Sequence, residues 1–420
     1  MSPSATAITL VISGLTLGGI AFGRLPGVRV SRAGVALGGA MALVLLGVVD
    51  LDDARRSVNG EVLLLLFGLM VVNASLAGAG AFRLLTTLVT RGTLGPRRLL
   101  ALLVMASGLL SALFLNDTVV LMLTPLVVRA AQRLGLRPLP YLLGLALAAN
   151  AGSVATVTGN PQNVLVAVSA GIGYGEFVLR LGPVALASLA ITLGVILVAF
   201  RRDLRGARRP HEPLAPALEV DGGRLWLSAT TVLAMLVAFV AGVPVALAAL
   251  AAAAFLLLSH GRAAAALLRR VDYELLVLFG GLFVVVGALA ETGLPARWLL
   301  GLLASGAAPA MPGAADLGRL TVVTAGLSNV VSNVPAVLIL LPTLDLAALQ
   351  ATASKTVAIT LAMASTLAGN LTLVASVANL IVAESARRLG VEVGFWSYLR
   401  VGLPVTVLTL FVGWLIVAFA

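Results

Sequence analysis

The chain has 420 residues, of which 60% are hydrophobic and 11% charged, with a formal net charge of +11 and no cysteine. A soluble domain carries roughly a quarter of its residues as charges, so this composition excludes a globular domain with an anchor and predicts a polytopic helical membrane protein. Without cysteine there is no disulfide framework, thiolate metal site or thiol nucleophile, and the two histidines, His211 and His260, cannot build a zinc or haem site.

In chain order, apolar runs long enough to cross a bilayer are expected at Ala5–Phe22, Ala33–Val49, Glu61–Gly80, Leu139–Ala170 and Val178–Phe200. No Arg or Lys precedes the first run, which reads as a span and not as a cleaved signal. The stretch Arg201–Arg224 follows, with Arg201, Arg202, Arg205, Arg208, Arg209 and Arg224, four acids and three prolines. It is the natural boundary between a first half, 1–200, and a second, 225–420. The second half repeats the pattern, with runs at Leu225–Ala241, Val243–Leu258, Glu274–Ala290, Thr356–Ala383 and Tyr398–Phe419. The arginines lie in the breaks between runs, where the positive-inside rule accounts for them. No basic stripe with interleaved aromatics exists, so nucleic acid is excluded as a partner.

Reading the arginine-rich breaks as cytoplasmic puts both termini and Gly171–Phe177 outside, and Arg201–Arg224, His260–Arg270 and Arg387–Arg388 inside. Five crossings per half is an odd number, so the second half is expected to be inverted relative to the first. Between the spans, one motif occurs twice. Leu115-Asn116-Asp117-Thr118 precedes an apolar run closed by Pro125; Ser332-Asn333-Val334 precedes one closed by Pro342. Both the asparagines (333 − 116) and the prolines (342 − 125) are 217 apart. The apolar residues Val119–Val128 and Leu320–Leu327 beside the clusters are too few to cross. The first arm of the first copy, Leu99–Leu115, is long enough to read either way, and symmetry with the second copy decides for a re-entrant hairpin in each half, at about 98–134 and 319–350. Duplicated spans with polar breaks are the mark of a secondary transporter whose site lies between two repeats. The expected class is therefore all-α: two inverted repeats of five spans plus one re-entrant hairpin each, with discontinuous helices.

The chemistry is expected at the tips and breaks. Asn116, Asp117 and Thr118 precede one half-helix, and Ser332, Asn333 and Val334 the other; two helix starts facing each other offer N–H groups to an anion without any arginine. Asp117 is the one acid expected near the midplane, read either as a proton or sodium coupling group or as a cap satisfied by its own hydrogen bonds. Glu61, Glu274 and Glu291 lie near span ends, and Lys355, the only lysine, is expected to snorkel outward. After each hairpin comes a broken helix, at about 139–170 and 355–385. In the first, Thr156, Gly159, Asn160, Pro161 and Asn163 unwind the backbone and free carbonyls. At an offset of 216, Thr372, Ser376 and Asn379 match Thr156, Asn160 and Asn163; the second copy lacks the proline, so a milder break is expected around Gly369-Asn370.

These motifs resemble the ion transporter superfamily, which includes arsenite permeases, citrate carriers, sodium/proton antiporters and divalent anion/sodium symporters. The symporters carry Ser-Asn-Thr at each tip; Asn116-Asp117-Thr118 and Ser332-Asn333-Val334 depart from that and look closer to the arsenite permease branch. The resemblance implies a homodimer with a scaffold and a mobile transport domain. The expected function is a secondary active permease for a small inorganic or organic anion or oxyacid in the cytoplasmic membrane of a bacterium. It would be driven by bound H+ or Na+, with no other cofactor. Arsenite or antimonite efflux and sodium/proton exchange are the alternatives. An enzyme would need clustered acids or a Ser/His pair near the interface, and the sequence has neither.

Overall fold

The computed structural model describes residues 2–22, 31–81, 95–205, 221–303, 313–344 and 351–419, and every regular element among them is helical. In the first half these are α1 (Pro3–Phe22), α2 (Arg32–Leu45), α3 (Leu51–Ser57), α4 (Gly60–Ala79), α5 (Pro96–Leu113), α6 (Asn116–Arg133), α7 (Pro138–Ser153), α8 (Pro161–Ser169) and α9 (Tyr174–Ala199). In the second they are α10 (Gly222–Val240), α11 (Val245–His260), α12 (Ala264–Leu268), α13 (Tyr273–Glu291), α14 (Leu294–Leu303), α15 (Ala314–Val331), α16 (Asn333–Thr343), α17 (Ala351–Ala368), α18 (Val377–Arg387) and α19 (Phe395–Phe419). Among the described residues, eight helices are long and apolar enough to cross a membrane. The chain is an integral membrane protein. Arg24, Arg29, Arg83, Arg91, most of Arg201–Arg224 including His211, and the end of the second expected hairpin lie outside the described residues.

Local chemistry sets the helix ends. The Asn59 side chain accepts from Val62 N–H at 3.1 Å to start α4, and Gly80, at φ 91°, ends it in the left-handed region that glycine tolerates. The expected span Ala33–Val49 is shorter: α2 stops at Leu45, about 21 Å at 1.5 Å per residue, because Gly47 (φ 66°) turns the chain. The acidic loop that follows contains α3, whose Asp52 and Asp53 sit in the first turn and Arg55 and Arg56 in the last, each complementing the helix dipole.

Two of the four hairpin arms, α6 and α15, are longer than their apolar runs of Val119–Val128 and Leu320–Leu327, while α5 is close to the length of Leu99–Leu115. Helices α5, α6 and α15 each have 18 residues, about 27 Å, and only α16, with 11, is of half length. The polar residues that seemed to end the apolar runs, Arg129 and Arg133 in α6 and Asp316 and Arg319 in α15, are helical continuations. Charge interrupts an apolar run without ending the helix that contains it.

Two packing groups result. Helices α1, α2, α4, α10, α11 and α13 pack chiefly on one another, through α1 on α2, α2 on α13, and α4 on α10 and α11. Small residues let these backbones approach: a Cβ on Gly281 would lie 2.6 Å from the Ala36 carbonyl carbon, and one on Gly68 2.8 Å from that of Ala249. The second group is α5–α9 with α15–α19. Within it the halves interleave: α6 packs on α18, and α16 packs on α8. Each paired helix of one half thus meets the broken helix of the other.

Candidate functional site

Each tip joins two helices with very little chain. In the first, Phe114 and Leu115 are extended (φ −131°, ψ 162° and φ −56°, ψ 124°) between α5 and α6. In the second, Ser332 alone separates α15 from α16, at φ 76° and ψ 161°; it is the one non-glycine residue with positive φ among the described residues. That region is essentially reserved for glycine, so the second tip holds local strain.

The breaks are built from buried amides. Helix α7 ends at Ser153 and α8 begins at Pro161, capped by Asn160, whose Oδ1 accepts from Asn163 N–H at 2.9 Å. Pro161 at the first helical position lacks only an N–H that would have no partner there. Unwinding exposes carbonyls, and Asn163 Nδ2 donates to two of them, Ser153 and Thr156, both at 2.9 Å. The second break does the same 216 residues later: Asn379 Nδ2 donates to the Gly369 carbonyl at 2.7 Å and the Thr372 carbonyl at 3.1 Å. It is not milder for want of proline. It runs from Gly369 to Ser376, because Asn379 ties the freed carbonyls whether or not a proline begins the next helix.

At the centre lies Asn150, 1% exposed, on α7. Its Oδ1 accepts from Asn116 Nδ2 at 2.9 Å and from Ser376 Oγ at 3.2 Å. Its Nδ2 donates to Asn370 Oδ1 at 3.0 Å and Asn379 Oδ1 at 3.1 Å. The polarity of this cluster is fixed from its ends: Asn370 Nδ2 donates to the Leu147 carbonyl and Asn379 Nδ2 to carbonyls that can only accept, so both present oxygens to Asn150. A matching set surrounds Thr366, whose Oγ1 accepts from Asn160 Nδ2 (3.1 Å) and Gln162 Nε2 (3.3 Å) and donates to Asn163 Oδ1 (3.2 Å). No Arg or Lys donates into this cluster among the described residues.

Of the residues expected from sequence, Asn116, Asn160, Asn163, Ser376 and Asn379 join the cluster. Thr156 binds outward from it, donating to the Ala112 carbonyl of α5. Gly159 lies against Ser153, where a Cβ would fall 2.3 Å from the Ser153 oxygen. Asn333 packs over Gly369, with its Nδ2 2.9 Å from where a Cβ would stand. Asn333 Oδ1, Thr372 Oγ1 and Asn329 Oδ1 are buried with no partner. Asp117, Thr118 and Val334 lie in the first turns of α6 and α16, half-buried, with Asp117 in electrostatic reach of Arg32 and Asp272. Asn150, Gln162 and Thr366 were not expected at the site, and Asn370 was expected only as the place of the second break. The signal for Asn150 is present: a lone amide in the otherwise apolar run Leu142–Ala151.

Lys355 does not simply snorkel. Its Nζ meets Glu176 Oε2 at 2.7 Å; Arg180 Nη2 meets Glu176 Oε1 at 3.2 Å and Arg180 Nη1 donates to Thr356 Oγ1 at 3.1 Å. The start of α17 is thereby held to the start of α9. The start of α7 is held to the other end of α9, where Arg137 Nη1 meets Asp203 Oδ1 at 3.0 Å. Partial exposure makes such pairs worth little in stability, but their placement is informative.

The family model for citrate transporters (CitMHS) matches residues 9–357. The silicon efflux transporter LSI3 of Oryza sativa subsp. japonica is 31% identical over 475 residues, covering 95% of this chain and 96% of the relative. An uncharacterized transporter of Mycobacterium tuberculosis H37Rv is 30% identical over 429 residues, covering 97% and 96%. Among solved structures, the Alcanivorax borkumensis YdaH transporter, described as having an unusual topology, superposes with a TM-score of 0.58 at 18% identity, covering 99% of this chain and 98% of that one. At that identity the likeness concerns the fold alone.

Proposed function

The chain belongs to the citrate transporter family and is a multi-pass membrane transporter, not an enzyme; from that premise we propose that it is a secondary active permease for a small oxyacid or anion. The observation that carries this reading is the uncharged cluster of buried amides and hydroxyls that joins the first tip to both breaks, with the second tip packed beside it over Gly369. A site built of neutral hydrogen-bonding groups and helix starts suits a solute with several oxygens and little charge. The silicon efflux relative favours the oxyacid over a tricarboxylate, since silicic acid is uncharged near neutral pH; arsenite is its close chemical analogue.

The two halves are proposed to be inverted repeats, 1–200 and 225–420, joined by a cytoplasmic segment at 201–224. In support, equivalent helices α7 and α17 begin at opposite ends of α9, a 26-residue helix about 39 Å long. Both hairpins are proposed to be re-entrant. Asn116 touches Asn150, which lies 12 residues into α7, about 18 Å from its start and near the middle of a 30 Å hydrocarbon core. An elevator motion is proposed, with α5–α9 and α15–α19 as the moving body and the other group as a homodimeric scaffold in a bacterial cytoplasmic membrane. Coupling to H+ or Na+ is assigned to Asp117, with Arg32 and Asp272 near its path.

The test is flux in vesicles holding the purified chain, with silicic acid, arsenite, sulfate and citrate, under imposed pH or sodium gradients. Gradient-driven movement of silicic acid or arsenite is expected. Movement of citrate or sulfate alone would overturn the oxyacid reading, and sodium/proton exchange with no solute flux would replace it by an antiporter.

A further inference from the structure

The hydrogen bonds around positions 150 and 366, which are 216 apart, match across the two halves. Asn150 Nδ2 to Asn379 Oδ1 (3.1 Å) is answered by Thr366 Oγ1 to Asn163 Oδ1 (3.2 Å). Ser376 Oγ to Asn150 Oδ1 (3.2 Å) is answered by Asn160 Nδ2 to Thr366 Oγ1 (3.1 Å). The match breaks at the tips. Asn116 has an asparagine to bind, and with its Nδ2 anchored on Asn150 its Oδ1 accepts from Asp117 N–H at 2.9 Å. Asn333 faces the half in which threonine holds the equivalent place, shorter by one heavy-atom reach and already engaged with Asn160, Gln162 and Asn163.

Without that anchor Asn333 lies against Gly369, and its Oδ1 is buried with no partner although the residue is 8% exposed. Two further oxygens are left open in the same place. Thr372 Oγ1 has no partner, whereas its counterpart Thr156 donates to the Ala112 carbonyl. Asn329 donates to the Ala368 carbonyl at 3.2 Å, but its Oδ1 is also open. Leaving a buried polar atom unpaired costs its full desolvation penalty. Ser107 and Ser111 on α5 also lack partners, but so do their counterparts Thr324 and Ser328 on α15, 217 positions later. The two halves differ at Asn329, Asn333 and Thr372, whose open oxygens near Ala368–Thr372 stand against Ala112 and the partnered Asn116 and Thr156 and mark a place kept for a ligand.

We propose that solute contact is one-sided: Asn150 is a positioning residue that commits the first tip to the protein, while Thr366 leaves Asn329, Asn333 and Thr372 to receive the hydroxyl groups of the solute. This rests on the transport reading for the identity of the solute, but the lock at the first tip does not. Both amides of α16's first turn, those of Asn333 and Val334, are without a side-chain cap, and they offer donors to the oxygens of the same solute. A ligand that both donates and accepts is thus matched on both counts, and a fully ionised polyanion is not, because it brings no donors to the two open amide oxygens of Asn329 and Asn333.

The experiment uses the full chain in lipid vesicles and three variants, Asn150→Thr, Thr366→Asn and, as the reference for a lost solute contact, Asn333→Ala. In the first, amide exchange of peptides carrying Asp117 should accelerate by about tenfold while those carrying Val334 change by less than about twofold. With silicic acid and arsenite as probes, Asn150→Thr should lower turnover with KM within about threefold. Thr366→Asn, which brings a longer side chain toward Asn333, should raise KM by about tenfold with turnover little changed. Unchanged Asp117 exchange would overturn the lock. A KM for Asn150→Thr raised as far as that of Asn333→Ala would make Asn150 a solute contact, and an unchanged KM for Thr366→Asn would overturn the one-sided site. If neither probe moves, the oxyacid reading fails, while the exchange measurement still decides whether Asn150 holds the first tip.

Discussion

At φ 76° and ψ 161°, Ser332 occupies backbone space that a side chain makes costly by about 1–3 kcal/mol. Ser332→Gly should therefore stabilise the chain, by about 1 kcal/mol, and raise its melting temperature by a few degrees. A lower melting temperature would mean that the serine hydroxyl does more for the tip than its strain costs. At Asp117 the expectation concerns coupling. Asp117→Asn keeps the size and helix-start chemistry of the side chain but removes its charge. It should retain solute exchange down a concentration gradient and lose accumulation driven by pH or sodium. If the variant still concentrates solute as the parent does, Asp117 serves only the start of α6.

Among the elements, the two broken helices are held open by one device used twice. Asn163 and Asn379 each bridge the carbonyls ten and seven positions before them. Replacing either by alanine leaves two buried carbonyls short of a donor, at about 1–3 kcal/mol each. Asn163→Ala and Asn379→Ala should therefore lower thermal stability to a similar degree, read as melting in detergent; an effect confined to one of them would mean that only one break depends on its amide. Glycine works at the same level. A Cβ on Gly152 would lie 2.1 Å from the Gly108 oxygen, so α7 and α5 meet backbone to backbone just before the first break. Gly402 does the same for α19, 2.5 Å from the Asn370 oxygen by the same measure.

For the whole molecule, sidedness is the testable quantity. The Lys355–Glu176 and Arg137–Asp203 pairs put the start of α17 and the start of α7 at opposite ends of α9. In this cysteine-free chain, single cysteines at Gly173 and Thr352 should react with an impermeant thiol reagent from outside, and one at Glu392 only after the membrane is opened. Reaction of Gly173 and Glu392 from the same side would break the inverted arrangement.

Membrane residence, helical class and the duplicated pattern were legible in the sequence, because lipid admits few structures and the repeat keeps its polar residues at offsets of 216 and 217. Asn160, Asn163, Ser376 and Asn379 could be found that way, since polar residues inside apolar runs need partners wherever they fold. Helix lengths were not legible: Arg129 and Asp316 interrupt an apolar run without interrupting a hydrogen-bond ladder. Nor was the partnership of Asn150 with Asn116, Ser376, Asn370 and Asn379, which spans 34 to 229 positions along the chain. The sequence by itself determined what must be buried and that buried amides must be paired. Only the tertiary structure decided which amide pairs with which, and so that Asn116 is anchored and Asn333 is not, because that choice depends on one side chain's reach at 150 and at 366 and leaves no periodic trace.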